Sequence, residues 1–92
     1  MTGKKNTAFI IFQDNEDARP IIEAVEQDNP GVNIQYQPGM VRLERPGSLI
    51  IKRETVEQNL GREWDIQEIH LVLISLAGNV DEDDDKFEIS WG

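Results

Sequence analysis

Apolar residues along the chain fall in short runs separated by turn-forming residues. Ala8 to Phe12 is a continuous apolar run of strand length, bounded by Asn6 and by Gln13-Asp14-Asn15, and it predicts a central strand buried on both faces. Asp14 or Asn15 can then cap a helix whose apolar positions Ala18, Ile21, Ile22 and Val25 recur at i, i+3, i+4 and i+7, with Glu16 and Asp17 at its positive end. Pro20 is tolerated in a first turn, which sets the start near Asp17 or Ala18, and Asn29-Pro30-Gly31 ends the helix. Val32, Ile34 and Tyr36 alternate with Asn33, Gln35 and Gln37, the pattern of a strand with one buried and one wet face. Pro38-Gly39 turns the chain into a second strand, Met40 to Arg45, so that 32–45 reads as a hairpin.

The order then begins again. Ser48 to Lys52 predicts a strand, and Glu54 to Leu60 a short helix with Val56 and Leu60 on one face and Gly61 as its stop. Two readings compete over Ile66 to Ser75. Asp65 with Glu68 resembles a capping box and could open a helix, whereas the run from Ile69 to Ile74 lacks the polar face of a surface helix. The strand is the preferred reading, and it places His70 in the middle of it. Leu76 to Asp85 reads as an acidic loop, and Phe87, Ile89 and Trp91, alternating with Glu88 and Ser90, as a closing strand. The expected fold class is therefore α+β: two tandem β-α-β-β units forming a compact, mostly antiparallel sheet with helices packed on it. Residues 1–7 are expected to be a flexible N-terminal tail, and 8–92 a single domain.

Composition narrows what such a domain can do. Ninety-two residues, 38% of them apolar, support one modest core. Eighteen acidic against nine basic residues give a formal charge of -9, which repels phosphate backbones and anionic lipid across a Debye length of about 8 Å. Neither nucleic acid nor a membrane is an expected partner, whereas a protein with a basic patch is. No run approaches the roughly 20 apolar residues that span a bilayer. Without cysteine there are no disulfides, thiolate metal sites or thiol nucleophiles, and the expected location is cytoplasmic.

Candidate chemistry is sparse. His70 is the sole histidine, with no second histidine for a metal pair and no nucleophile arranged around it. Asp81-Glu82-Asp83-Asp84-Asp85 is the densest charge run, but it lacks the alternating ligands, the glycine and the distal glutamate of a calcium loop. It reads as a solvated tip or an electrostatic docking element. The glycines sit at turns and helix stops, outside any phosphate-cradling pattern. The expectation is a protein with no catalytic, cofactor-binding or metal-binding residues.

Four stretches carry a more specific signal: Gln13-Asp14-Asn15-Glu16-Asp17, Arg53-Glu54-Thr55-Val56-Glu57, Gly61-Arg62-Glu63-Trp64-Asp65, and Leu76 through Asp85. With them the chain from about Ala8 onward resembles the effector, or regulatory (coupling), proteins of bacterial multicomponent di-iron monooxygenases, and its strongest likeness is to the phenol hydroxylase regulatory components. That resemblance implies a compact α+β fold, no cofactor, and as partner the di-iron hydroxylase, which carries out the oxidation. Docking near the hydroxylase active site would tune substrate and oxygen access, electron-transfer coupling and regioselectivity. The expected interface comprises Asp14, Asn15 and Glu16 at the first strand-helix junction, Arg62 and Trp64 after the second helix, and Asn79 with Asp81, Glu82, Asp83, Asp84 and Asp85. For Asp14, Asn15 and Glu16 the competing role is a helix cap, and for Trp64 it is core packing; arginine and tryptophan are also common interface anchors. A stand-alone small-molecule-binding or protein-interaction module is the alternative function, and the edges of a small sheet leave self-association open.

Overall fold

In a computed structural model, residues 7–91 are described. The chain runs β1 (Thr7–Gln13), α1 (Arg19–Asp28), β2 (Asn33–Gln37), β3 (Met40–Pro46), β4 (Ser48–Lys52), α2 (Arg53–Leu60), a 3-10 turn (Ile66–Glu68) leading into α3 (Ile69–Val72), then β5 (Leu73–Ala77), β6 (Asn79–Glu82) and β7 (Lys86–Ser90). The α+β class and antiparallel pairing hold, with the strands divided between two sheets, β2-β3-β1-β5 and β4-β7-β6. Of the segment expected as a tail, residues 1–6 lie outside the described residues, and Thr7 opens β1.

β1 is central, between β3 and β5, but only one of its faces is fully buried. Ala8, Ile10 and Phe12 enter the core while Phe9 and Ile11 stay half-buried, because no helix among the described residues lies over the outer face. The Arg42 guanidinium covers the Phe9 ring instead, 4.1 Å from its centroid. β2 is an edge strand, so the face expected to be buried is only partly so: Val32 and Ile34 pack against the core while Tyr36 remains 68% exposed. Pro38-Gly39 closes the β2–β3 hairpin, and Gly39 at φ 77 supplies the left-handed residue that a type II turn requires.

The largest departure lies at 66–77, where the expected strand is helical as far as Val72. The Asp65 carboxylate accepts from the Gln67 backbone N–H (2.9 Å) and the Glu68 carboxylate from the Asp65 N–H (3.1 Å), so the capping box forms. Ile66, Ile69 and Val72, spaced by three, turn into the core, while His70 and Leu71 face outward. The predicted acidic loop is also partly ordered: 79–82 pairs with β7 as strand β6. Lys86 makes this tolerable, since its Nζ lies 3.2 Å from Asp81 and 3.3 Å from Glu88 and keeps an otherwise repulsive acidic pair compatible with cross-strand packing. Gly78 links the two sheets. A Cβ there would collide with the Ile89 side chain, and its φ of 132 is one that few other residues adopt.

The core gathers Ile10, Phe12, Val41 and Leu43 of the first sheet, Leu49, Ile51, Phe87 and Ile89 of the second, and the inner faces of the helices. Asn29, 1% exposed, is the buried polar residue among them. It ends α1, and its carboxamide donates to the carbonyls of Val25 and Ile50 (both 2.8 Å) and accepts from the Ile50 N–H (2.8 Å). Replacing Asn29 by Ala takes the partner from the half-buried Ile50 N–H and C=O and is expected to cost about 2 kcal/mol, read as a lowered midpoint in urea unfolding. An unchanged midpoint would mean that water replaces the amide.

Candidate functional site

The sequence-predicted interface residues sort by what the local chain needs. Asn15 turns inward enough to cap the segment before α1: its Oδ1 accepts from the Ala18 N–H at 2.9 Å. The Asp14 N–H donates to the Gly39 carbonyl (3.2 Å) and its carboxylate lies 3.9 Å from Arg19, which points it toward the β2–β3 turn. Glu16 is exposed and faces the other way, toward the end of α2.

Trp64 is core, 5% exposed. Its backbone N–H donates to the Glu57 carboxylate at 2.9 Å, and Arg53 Nε donates to the same oxygen at 3.2 Å. These bonds hold the loop after α2 against the helix. The Trp64 backbone N–H lowers the Glu57 pKa most; burial opposes it less strongly, and Arg53 adds a smaller lowering. The Trp64 indole therefore supports the surface from beneath and does not project from it.

Around that indole lies a shallow depression of about 140 Å³, with Ile21, Trp64 and Val72 in its wall and Glu16, Arg62 and Leu71 at its rim. Two of the three predicted groups thus meet in space. The acidic run joins from the other side of the 3-10 turn, where Glu82, Asp83 and Asp84 line a second hollow with Asp65 and Gln67. Asp83 is built into its turn: its carboxylate accepts from the N–H groups of Asp85 (2.8 Å) and Lys86 (2.9 Å), and these bonds, in that order, lower its pKa. Asp81 and then Glu88 raise the pKa of Lys86. Asn79 stands apart, opposite Ser90 at the far end of β6.

The residues that sequence reasoning missed are Leu71 and Ile74. They are 74% and 47% exposed at the junction of α3 and β5, where Ile74 is the extra residue of a bulge opposite Ile11 and Phe12. Reading 69–74 as a buried strand concealed them. The capping box was the signal that would have found them, since a helix that buries Ile66, Ile69 and Val72 must turn Leu71 outward. His70 flanks the same junction, its Nε2 3.1 Å from Glu82 and its ring edge-on to Phe87 at 6.0 Å. Exposed Leu71, with Glu16 and Arg62 beside it and the His70–Glu82 pair and Ile74 next to it along the chain, gives this junction an apolar element among polar groups, as protein interfaces have.

No three His, Cys, Asp or Glu side chains group as a metal site among the described residues, and no helix there is long and apolar enough to cross a membrane. A wider hollow, about 560 Å³, is lined mainly by charged groups, Lys52, Arg53, Glu54, Glu57, Asp85 and Lys86, with Ile50 alone apolar. Small-molecule sites have mostly apolar walls.

The sequence pattern of the MmoB/DmpM family matches residues 6–90. The stimulatory component DmpM of phenol 2-monooxygenase from Pseudomonas sp. (strain CF600) is 53% identical over 83 residues, covering 90% of this chain and 92% of the relative. A chain from a structure of a phenol hydroxylase–regulatory protein complex superposes with a TM-score of 0.91 at 52% identity, over 95% of this chain and 100% of the other. Regulatory protein B of soluble methane monooxygenase shares the fold at 18% identity, with a TM-score of 0.75 over 100% of this chain and 70% of that one.

The Glu57 tie carries a pH signature. Its folded-state pKa lies below the ordinary value of 4.5, so its contribution is whole above pH 4.5 and is lost as pH falls through the lower folded midpoint. Glu57→Gln is accordingly expected to lower stability at pH 7, and the gap from the unsubstituted chain to shrink in acid. Urea unfolding at pH 7 and pH 3 checks this, and a gap that widens in acid contradicts it.

Proposed function

Because the chain belongs to the MmoB/DmpM family, we propose that it is the regulatory, non-catalytic component of a phenol hydroxylase and acts by binding the hydroxylase component. The observation that carries this reading is the near full-length likeness to a phenol 2-monooxygenase stimulatory component, 53% identical over 90% of the chain. The superposition on a chain from a phenol hydroxylase–regulatory protein complex supports the same partner. No chemistry is asked of the regulator itself. It acts through differential affinity: preferring the active hydroxylase conformation by about 1.4 kcal/mol raises that state's relative population tenfold. The oxidation belongs to the di-iron hydroxylase, and the regulator tunes substrate and oxygen access, electron-transfer coupling and regioselectivity. A cytoplasmic location is part of the proposal and suits a chain without cysteine.

The proposed contact is the α3–β5 junction. Leu71 and Ile74 supply the apolar centre, Glu16 and Arg62 one rim, and the acidic turn through Asp81, Glu82, Asp83, Asp84 and Asp85 the other. Trp64 braces the depression from below and Asn15 fixes the loop that presents Glu16. Asp14 and Asn79 lie at the margins. The overall charge of -9 favours encounter with a basic surface on the partner and makes the on-rate fall with added salt.

Titrated into the cognate hydroxylase and its electron donor, the protein is expected to raise phenol oxidised per electron pair consumed until a fixed stoichiometry is reached. A flat titration would sink the reading. Leu71→Asp should need about tenfold more protein for half-maximal effect, a loss of about 1.4 kcal/mol of docking energy. Its circular dichroism should stay unchanged, since the side chain is 74% exposed. Unaltered stimulation by Leu71→Asp places the contact elsewhere.

A further inference from the structure

The depression over Trp64 has the dimensions of a side chain. It encloses about 140 Å³, the share of liquid taken by roughly five waters and less than half of the roughly 300 Å³ at which small-molecule pockets begin. Its apolar wall comes from Ile21 of α1, Leu60 at the end of α2, Trp64 in the loop that follows, and Val72 of α3. Ile21, Trp64 and Val72 belong to the core and Leu60 packs against it, so the shape of the hollow is set by the packing beneath it.

The rim has the opposite character. Glu16 and Asp17 reach it from the turn before α1 and Glu68 from the 3-10 turn, against a single cation, Arg62. That cation is directed elsewhere: Arg62 Nη1 donates to the Glu63 carbonyl at 2.8 Å. Among the described residues none of the three carboxylates has an ion-pair partner. Helix ends account for an acid at each position taken singly, and Glu68 spends Oε2 on the Asp65 N–H. What they do not account for is the meeting of three acids from two elements around one apolar hollow.

An apolar hollow with an acidic mouth suits a side chain with a methylene stem and a cationic head. We infer that the depression is a socket for one arginine side chain of the hydroxylase, its stem along Ile21, Leu60 and Val72 and its guanidinium among the carboxylates of Glu16, Asp17 and Glu68. The inference rests on the hydroxylase-binding reading above and names the group by which the partner is held at that surface. Arginine fits better than lysine, because its planar fork engages carboxylates in pairs and it is hydrated weakly enough to sit near an aromatic wall such as Trp64. A neutral or acidic side chain would leave the three carboxylates uncompensated as docking dries the rim. Exposed Leu71 borders the same hollow and makes it continuous with the proposed contact. An arginine seated there is shielded from water by apolar neighbours, the setting in which interface arginines act as anchors.

Glu16→Gln combined with Asp17→Asn is expected to bind the cognate hydroxylase about tenfold more weakly in titration calorimetry. Its circular dichroism should be unchanged, since the side chain that caps this turn is Asn15. Glu23→Gln combined with Glu26→Gln removes the same charge from the exposed face of α1 and should stay within about twofold. A double-mutant cycle then locates the arginine. With surface arginines of the hydroxylase changed to Gln one at a time, one change should cost about tenfold against the unsubstituted chain and almost nothing against the Glu16→Gln, Asp17→Asn variant. Equal losses for the two pairs of substitutions, or no arginine coupled to Glu16 and Asp17, overturns the socket while hydroxylase binding stands. An unsubstituted chain that does not bind the hydroxylase overturns the parent reading and the socket together.

Discussion

The carboxamide of Asn29 is the contact on which the two halves of the fold depend. It sits at the end of α1, which grows out of the first sheet's central strand, and it grips the N–H and C=O of Ile50 in the second sheet as a neighbouring strand would. One polar group thus closes a helix, satisfies a sheet edge and fixes the approach of α1 to β4 in a site 1% exposed. Apolar packing between Ile21, Val25, Leu49 and Ile51 is non-directional and could accommodate some sliding. Paired hydrogen bonds cannot, because a shifted register leaves the donors and acceptors of Asn29 and Ile50 unmet.

With the halves fixed, the short elements between them determine where function can reside. The loop after α2 is held by Glu57 to Trp64, the 3-10 turn by Asp65 and Glu68, and the β6–β7 turn by Asp83. Each is a carboxylate accepting backbone N–H groups, so part of the acidity that dominates the composition is structural. What these ties present is α3, too short to be stable alone, with Leu71 turned outward beside the Ile74 bulge. A binding protein without chemistry of its own needs a surface of this kind: apolar, rigidly mounted and rimmed by charge.

Much of this was legible in the residues. The hairpin over 32–45, the strand Ser48–Lys52, the stop at Gly61 and the family likeness follow from turn chemistry and local motif, which act over a few neighbours. The failures came where tertiary context decided. Ile69 to Ile74 is apolar throughout, so periodicity could not separate helix from strand, and the Asp65–Glu68 box settled it. Val32, Ile34 and Tyr36 alternate as a buried strand would, yet β2 ended at an edge, with no other described strand beyond it. Residues 79–82 look like loop and become strand only because β7 and Lys86 supply the pairing and the countercharge. Trp64 could be core or contact from sequence, and burial made it core.

The central claim is that the α3–β5 junction is the surface through which this protein engages its hydroxylase. Amide hydrogen exchange of the full chain with and without the cognate hydroxylase tests it most directly. The account predicts that added protection concentrates over residues 69–77 and the flanking 61–68 and 81–85 segments. Protection centred on β2 and β3, or none at saturating hydroxylase, would contradict it.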